Sequence, residues 1–253
     1  MDAAASEREA GTDAFGLLWR GSIAVEALDV ELDGRRLVVS STYELAVDEH
    51  WRRILAGAGE RVLFDGPLAH LESYSVHADR LRLLLRPSSY RYWLFCAGRR
   101  DELTTRYGPD GFHRALAVAA AVVGRDGRLI LQRRSARVAE CPGVWHVPAG
   151  NVALEPEASP TTSILAELAE ELNLQPAEIR SLRIVGLAES LANQKPELLY
   201  HCQLSCTAAE LVSRAADSRD RFEYDRLVHL PLDESAIAAH LAKEDGVLAA
   251  PTR

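Results

Sequence analysis

Apolar and polar residues alternate over residues 23–28 and 36–40 on either side of Asp33-Gly34, which predicts two strands around a turn. Residues 43–56 carry apolar positions at helical spacing, predicting a helix with Trp51, Ile54 and Leu55 facing inward. Two more strand-like runs, 68–75 and 80–86, flank an Ala78-Asp79 turn. Gly108-Pro109-Asp110-Gly111 is a dense turn signal, and the pattern changes after it. Runs 115–123 and 128–132 then flank Gly124-Arg125-Asp126-Gly127 as a hairpin, with a helix expected over 161–174. Strands are expected over 184–188 and 198–204, and a closing amphipathic helix over 234–243. This order predicts an α/β fold: a lead-in over 1–14, a smaller N-terminal α/β domain over 15–108 and a main domain over 109–253.

The 253 residues are 47% apolar, enough for a sizeable core, and carry a formal net charge of −8. That balance argues against a nucleic-acid groove or an anionic membrane surface, because both need clustered basic residues. The N-terminal stretch has neither the basic nor the apolar region of a secretory signal, and no apolar run is long enough to span a bilayer. Cys96, Cys141, Cys202 and Cys206 show no paired CxxC spacing, consistent with reduced thiols in the cytoplasm. His201, Cys202 and Cys206 lack the further ligands that a zinc site requires.

The chemistry concentrates in Ala166-Glu167-Leu168-Ala169-Glu170-Glu171-Leu172-Asn173-Leu174. On a helix, Glu167, Glu170 and Glu171 stand at i, i+3 and i+4, so three carboxylates crowd one face and repel. A solvated acidic face is the blander explanation. The position of this helix after Pro148-Ala149-Gly150 favours a hard cation such as Mg²⁺, with Mn²⁺ an alternative.

A hairpin ending in Gln132-Arg133-Arg134-Ser135, the loop Pro142-Gly143-Val144-Trp145-His146-Val147-Pro148-Ala149-Gly150 and the acidic helix follow in order. Together they resemble the Nudix hydrolases, whose signature is G-x5-E-x7-R-E-U-x-E-E-x-G-U. Here Ala166 replaces the Arg, Asn173 replaces the Gly, and the stretch from Gly150 to Glu167 is two residues longer, leaving Glu155 or Glu157 as the loop acid. Asn tolerates the left-handed conformation a helix C-cap asks for, whereas the lost Arg requires another cation to brace the acids. A narrower resemblance, carried by Phe64-Asp65, Ser89-Tyr90-Arg91, Arg133-Arg134-Ser135, Val138-Ala139-Glu140, Pro142-Gly143 and residues 167–174, is to the uridine diphosphate glucose pyrophosphatase branch. That branch shares the degenerate box and the extra N-terminal unit.

The resemblance implies a Nudix α/β/α sandwich and Mg²⁺-dependent hydrolysis of UDP-glucose or UDP-galactose to UMP and a sugar 1-phosphate. It implies that Glu167, Glu171, Glu170 and Gly150 serve the metal, Glu170 being a further ligand or base. Phe64, Tyr90, Arg134, Ala139, His146 and Asn151 would meet substrate. Independently, a diphosphate resists attack because its anionic oxygens repel a nucleophile, and a metal relieves that repulsion while a carboxylate takes the proton of the attacking water. Glu197 is the candidate for that outlying acid and Glu189 the runner-up. By residue type alone Phe64 and Tyr90 are core candidates, Trp145 a packing residue beneath the loop, and His146 a hydrogen-bonded strand histidine. Two other readings are another nucleoside diphosphate derivative as substrate and a non-catalytic nucleotide-sugar sensor. Parts of the loop also look like isopentenyl diphosphate isomerase, but the catalytic Cys expected soon after the Trp is absent.

Overall fold

The computed structural model describes residues 15–35, 37, 39–59, 63–108, 111–138, 140–154 and 159–244. The lead-in over 1–14, the Pro109-Asp110 half of the boundary turn, Ala139, Glu155 and Glu157 lie outside the described residues.

The expected first strand is two. β1 (Phe15–Ala24) ends in a 3-10 turn over Val25–Ala27, and β2 (Leu28–Leu32) leaves it in a different sheet. Among the described residues no return strand follows Asp33-Gly34; Arg36 and Val38 of the expected strand lie outside them. Asp33 accepts hydrogen bonds from the Arg35 backbone N–H (3.1 Å) and Nε (2.9 Å), a local Asx-type turn in place of a hairpin. Leu37, Val39 and Ser40 are irregular, and Ser40 caps α1 (Ser41–Ala56) by accepting from Tyr43 N–H. The buried face of α1 also differs from expectation. Tyr43 and Val47 are fully buried whereas Leu55 is exposed, because the N-terminal half of the helix packs on α2 (Tyr90–Cys96), with Tyr43 edge-on to Phe95 and Tyr107. Between these helices lie β3 (Pro67–His77) and β4 (Arg80–Ser89), joined at Ala78-Asp79 as expected, with Ala78 at φ 52°. β2, β4 and β3 form a three-stranded sheet, and α3 (Arg100–Tyr107) follows α2.

The larger sheet contains β5 (Ala117–Val123), β6 (Arg128–Arg134), β7 (Trp145–His146), β8 (Ala149–Asn151), β9 (Ile179–Ser190), β10 (Pro196–Leu204) and β11 (Tyr224–Pro231). β1 joins it by pairing antiparallel with β9, although the sequence groups residues 15–24 with the N-terminal unit. Its path runs β1-β9-β10-β5-β6-β11, with β8 on β5 and β7 on β6. The β5–β6 hairpin pairs only at Val123↔Leu129 before it splays, because β8 takes up the hydrogen bonds of β5 and β7 those of β6. That divergence opens the end of the sheet where the chemistry gathers.

Alternation along β5 separates the two faces. Leu116, Val118, Ala120 and Val122 pack into a core with Ile164, Leu168 and Leu172 of α4 (Pro160–Leu172) and Leu211 of α5 (Ala208–Arg214). Ala119 and Val123 join Leu131, Trp145 and Val147 beneath Ile237 and Leu241 of α6 (Glu234–Lys243). Helices therefore cover both faces of the sheet, the α/β/α arrangement expected. Ala69, Leu71, Leu81, Leu83 and Leu85 of the small sheet belong to the first of these cores. The Ala69 and Leu71 N–H groups donate to Val152 O and Arg114 O (both 2.9 Å), tying β3 to the chain flanking β8 and β5.

Candidate active site

A cleft of about 500 Å³ lies at the splayed end of the large sheet, walled by residues from both the N-terminal unit and the main sheet. α4 supplies its acids. Ser159 and Thr162 form a reciprocal capping box, Pro160 starts the helix, and Asn173 ends it in the left-handed conformation (φ 54°). The intervening 13 residues place Leu168 and Leu172 in the core and turn Glu167 and Glu170 to the cleft. Glu171 does not itself line the cleft, but the charges of Glu167, Glu223 and Arg134, which do, act on it. It is wholly buried one turn beyond Glu167, where Gln132 Nε2 donates weakly to its carboxylate at 3.3 and 3.4 Å.

Gly150 lies against this helix. A Cβ there would come within 1.8 Å of Glu167 Oε1, so only glycine lets the carboxylate rest on β8. Gly150→Ala should therefore displace Glu167 and lower activity by at least about tenfold, with the fold kept; unchanged kcat in a steady-state assay would contradict that packing.

Electrostatics mark this corner as short of positive charge. Burial, then Glu223, Glu170 and Asp220, raise the Glu167 pKa to about 8, with Arg134 opposing. Burial, Glu167 and Glu223 raise that of Glu171. Glu140, Asp220, Phe222, Glu223 and Lys195 also line the cleft, and sequence patterns alone did not single them out as site residues. Asp220, Phe222 and Glu223 come from the segment before β11, which is fixed by Ser135 Oγ donating to Phe222 O (2.6 Å) and Asp220 N–H donating to Glu170 O (3.0 Å). The cation lost at Ala166 has two substitutes: Arg219 pairs with Glu170 at 2.6 Å, and Arg134 lowers the proton affinity of Glu167, Glu171 and Glu223.

Arg133 and Arg134 diverge. Arg133 is half-exposed near Asp225, whereas Arg134 enters the cleft with its Nε donating to Glu140 O (2.9 Å). Phe64 is 74% exposed at the mouth, its ring folded over Gly66, and Tyr90 stands against Trp51 and Trp93. His146 lines the cleft but is held neutral: burial, then Arg134, lower its pKa to about 3, and its Nδ1 contacts Val147 O. Trp145 is fully buried against His240. Asn151 and Glu197 also line the cleft. Glu189, the runner-up acid, is committed elsewhere, accepting two hydrogen bonds from Arg114 at 2.6 and 3.1 Å.

Among the described residues, no three His, Cys, Asp or Glu side chains are close-set as a preformed metal cage. The donor set nonetheless fits a hard divalent cation. Glu171 is fully buried and Glu167 half-buried, and such an ion would relieve the repulsion between their carboxylates. No helix among the described residues is long and apolar enough to cross a membrane.

The chain is 29% identical over 202 residues to uridine diphosphate glucose pyrophosphatase NUDT22 of Homo sapiens, covering 62% of this chain and 67% of that protein. It is 29% identical over 176 residues to the Bos taurus protein of the same name, covering 56% and 61%, so the chain spans under two thirds of the bovine relative's length. A NUDIX hydrolase from Nitrosomonas europaea aligns with TM-score 0.36 and 18% identity, over 54% of this chain and 81% of that one. The NUDIX domain model matches residues 113–241, about half of the chain, and this protein belongs to the NUDIX family.

Proposed function

We propose that the protein hydrolyses the diphosphate bond of UDP-glucose or UDP-galactose, releasing UMP and a sugar 1-phosphate, with Mg²⁺ or alternatively Mn²⁺. The observation that carries this reading is the meeting, in one cleft, of Glu167 and Glu170 of the acidic helix, Arg134 and the aromatic side chains of the N-terminal unit. The 29% identity to the two pyrophosphatases supports the choice of a UDP-sugar.

Glu167 and Glu171 would hold the metal, with Glu170 and Gly150 beside them. When bound, the ion neutralises diphosphate charge and acidifies water. Arg134 offers a planar guanidinium to the phosphate oxygens. Phe64 and Tyr90 form the aromatic wall for the nucleotide, which makes the N-terminal unit part of the substrate site. Glu170, on the cleft side of α4, takes the proton of the attacking water, a step worth about 10²- to 10⁴-fold. The cysteines, with no paired CxxC spacing, accord with a cytoplasmic setting.

The purified protein incubated with UDP-glucose and Mg²⁺ should yield UMP and glucose 1-phosphate in equal amounts, and chelation should stop the reaction. Absence of UMP from every UDP-sugar tried, under conditions where metal binds, would overturn the proposal.

A further inference from the structure

Glu197 stands apart from the box acids. The charges that act on it are those of Lys195, Glu140 and Arg134, while those raising the Glu167 pKa come from Glu223, Glu170 and Asp220. Strand register explains its position. Asn151 on β8 pairs with Ala117 on β5, Ala117 with Glu197 on β10, and Glu197 with Ala188 on β9. Partners in register share a face, so these four side chains form one row across the sheet, and all four line the cleft.

The row alternates acceptor and methyl. Asn151 Oδ1 and Glu197 Oε2 are both buried and have no hydrogen-bond partner among the described residues. Such atoms are costly unless something donates to them. Two strand spacings separate their backbones by about 10 Å, and Ala117 between them leaves the floor open.

Lys195 adds a donor at the same place. It is mostly buried, its Nζ pairs with Glu140 Oε2 at 2.7 Å, and it lies 4.5 Å from the centre of the Trp93 ring. An ammonium has three N–H bonds, and the pairing with Glu140 uses one. Trp93 and Glu140 fix the side chain, so little rotamer freedom is left to lose on binding.

We propose that Glu197, with Asn151 and Lys195, forms a polyhydroxyl subsite that recognises the sugar of the substrate, Glu197 being a specificity-determining residue and not the proton acceptor. A hexose carries several O–H donors around a ring of the size this floor admits. A uracil offers one N–H, and the aromatic wall at Phe64 and Tyr90 lies ready for its flat face. This assignment rests on the UDP-sugar reading above and names the part of the cleft that reads the sugar.

The test uses the full chain with Mg²⁺ and two probes, α-D-glucose 1-phosphate and methyl phosphate, titrated by NMR. Wild type should bind the sugar phosphate at least about tenfold more tightly than methyl phosphate. Glu197→Ala and Asn151→Ala should each erase most of that preference without changing methyl phosphate affinity. Glu197→Gln, which keeps a carbonyl acceptor, should retain most of the preference and measurable turnover. Equal affinity of wild type for both probes, or an undiminished preference in Glu197→Ala, would overturn the subsite. So would loss of turnover in Glu197→Gln with the preference intact, since that is the signature of a proton acceptor. UMP release separates the two proposals. UMP from UDP-glucose without a sugar preference removes the subsite alone, and a sugar preference without UMP removes the UDP-sugar reading alone.

Discussion

Glu171→Gln is expected to reduce turnover by about 10²- to 10³-fold while making the metal-free protein more stable. The two effects have one cause. Glu171 is fully buried on the turn after Glu167, where burial and the neighbouring acids disfavour its charged form. A neutral amide of the same shape removes that repulsion, keeps contact with Gln132, and loses the charge proposed to hold the metal. Steady-state kinetics with Mg²⁺ and thermal melts in chelator should show the two changes together. Full activity in this variant would refute a metal role for Glu171. A protein that only senses nucleotide sugars would instead keep ligand affinity in the variant without metal, which isothermal titration would reveal.

The metal-free protein should also lose stability as pH rises from about 5 to about 8, and Mg²⁺ should restore it most at the upper end. The pKa of Glu167 is near 4.5 when solvated and about 8 in the fold, so the folded state binds the extra proton in that interval. Its contribution is full below 4.5 and is lost as pH climbs through 8. At about 1.4 kcal/mol per tenfold change in proton affinity, this carboxyl alone accounts for several kcal/mol. Glu197, raised to about 7 chiefly by burial, adds to the same limb.

Histidines set the acid limb with the opposite sign. Burial holds His70 and His113 near 3, below the usual 6.5, so their contribution is present above 6.5 and falls away as pH drops toward 3. The Arg114 N–H donating to His70 Nδ1 at 2.7 Å requires the neutral ring. Melting temperature against pH, with and without Mg²⁺, should therefore peak between the limbs without metal and broaden upward with it. Coincident curves would contradict the buried-acid account.

Much of the fold was legible because it follows from local periodicity. The closing helix over 234–243 and the Asn173 cap are where side-chain spacing and left-handed tolerance put them. What failed was non-local. Asp33-Gly34 reads as a hairpin turn, yet β2 finds its partner in β4, parallel and some 50 residues later, which no window around the turn contains. The splay of β5 from β6 depends on the inserted β7 and β8, each only two or three residues long. At the site, the helical acids announce themselves by i, i+4 spacing. Asp220, Glu223, Glu140 and Lys195 do not, because the first two arrive on a single 3-10 turn too short to show a periodicity and the others meet only when the loop after β6 closes on the β9–β10 turn.

The short 3-10 turn over Val25–Ala27 means that the two units are interleaved and not strung like beads. Before it the chain lies on the outer edge of the main sheet, with Phe15 opposite Ser190 and Ala24 opposite Arg183; after it the chain builds the small sheet. A cut at residue 108 would thus remove a strand from the catalytic half and bare the β9 edge to intermolecular pairing. A shortened version meant to stay monomeric would have to carry residues 15–24 back to that edge, for example by circular permutation.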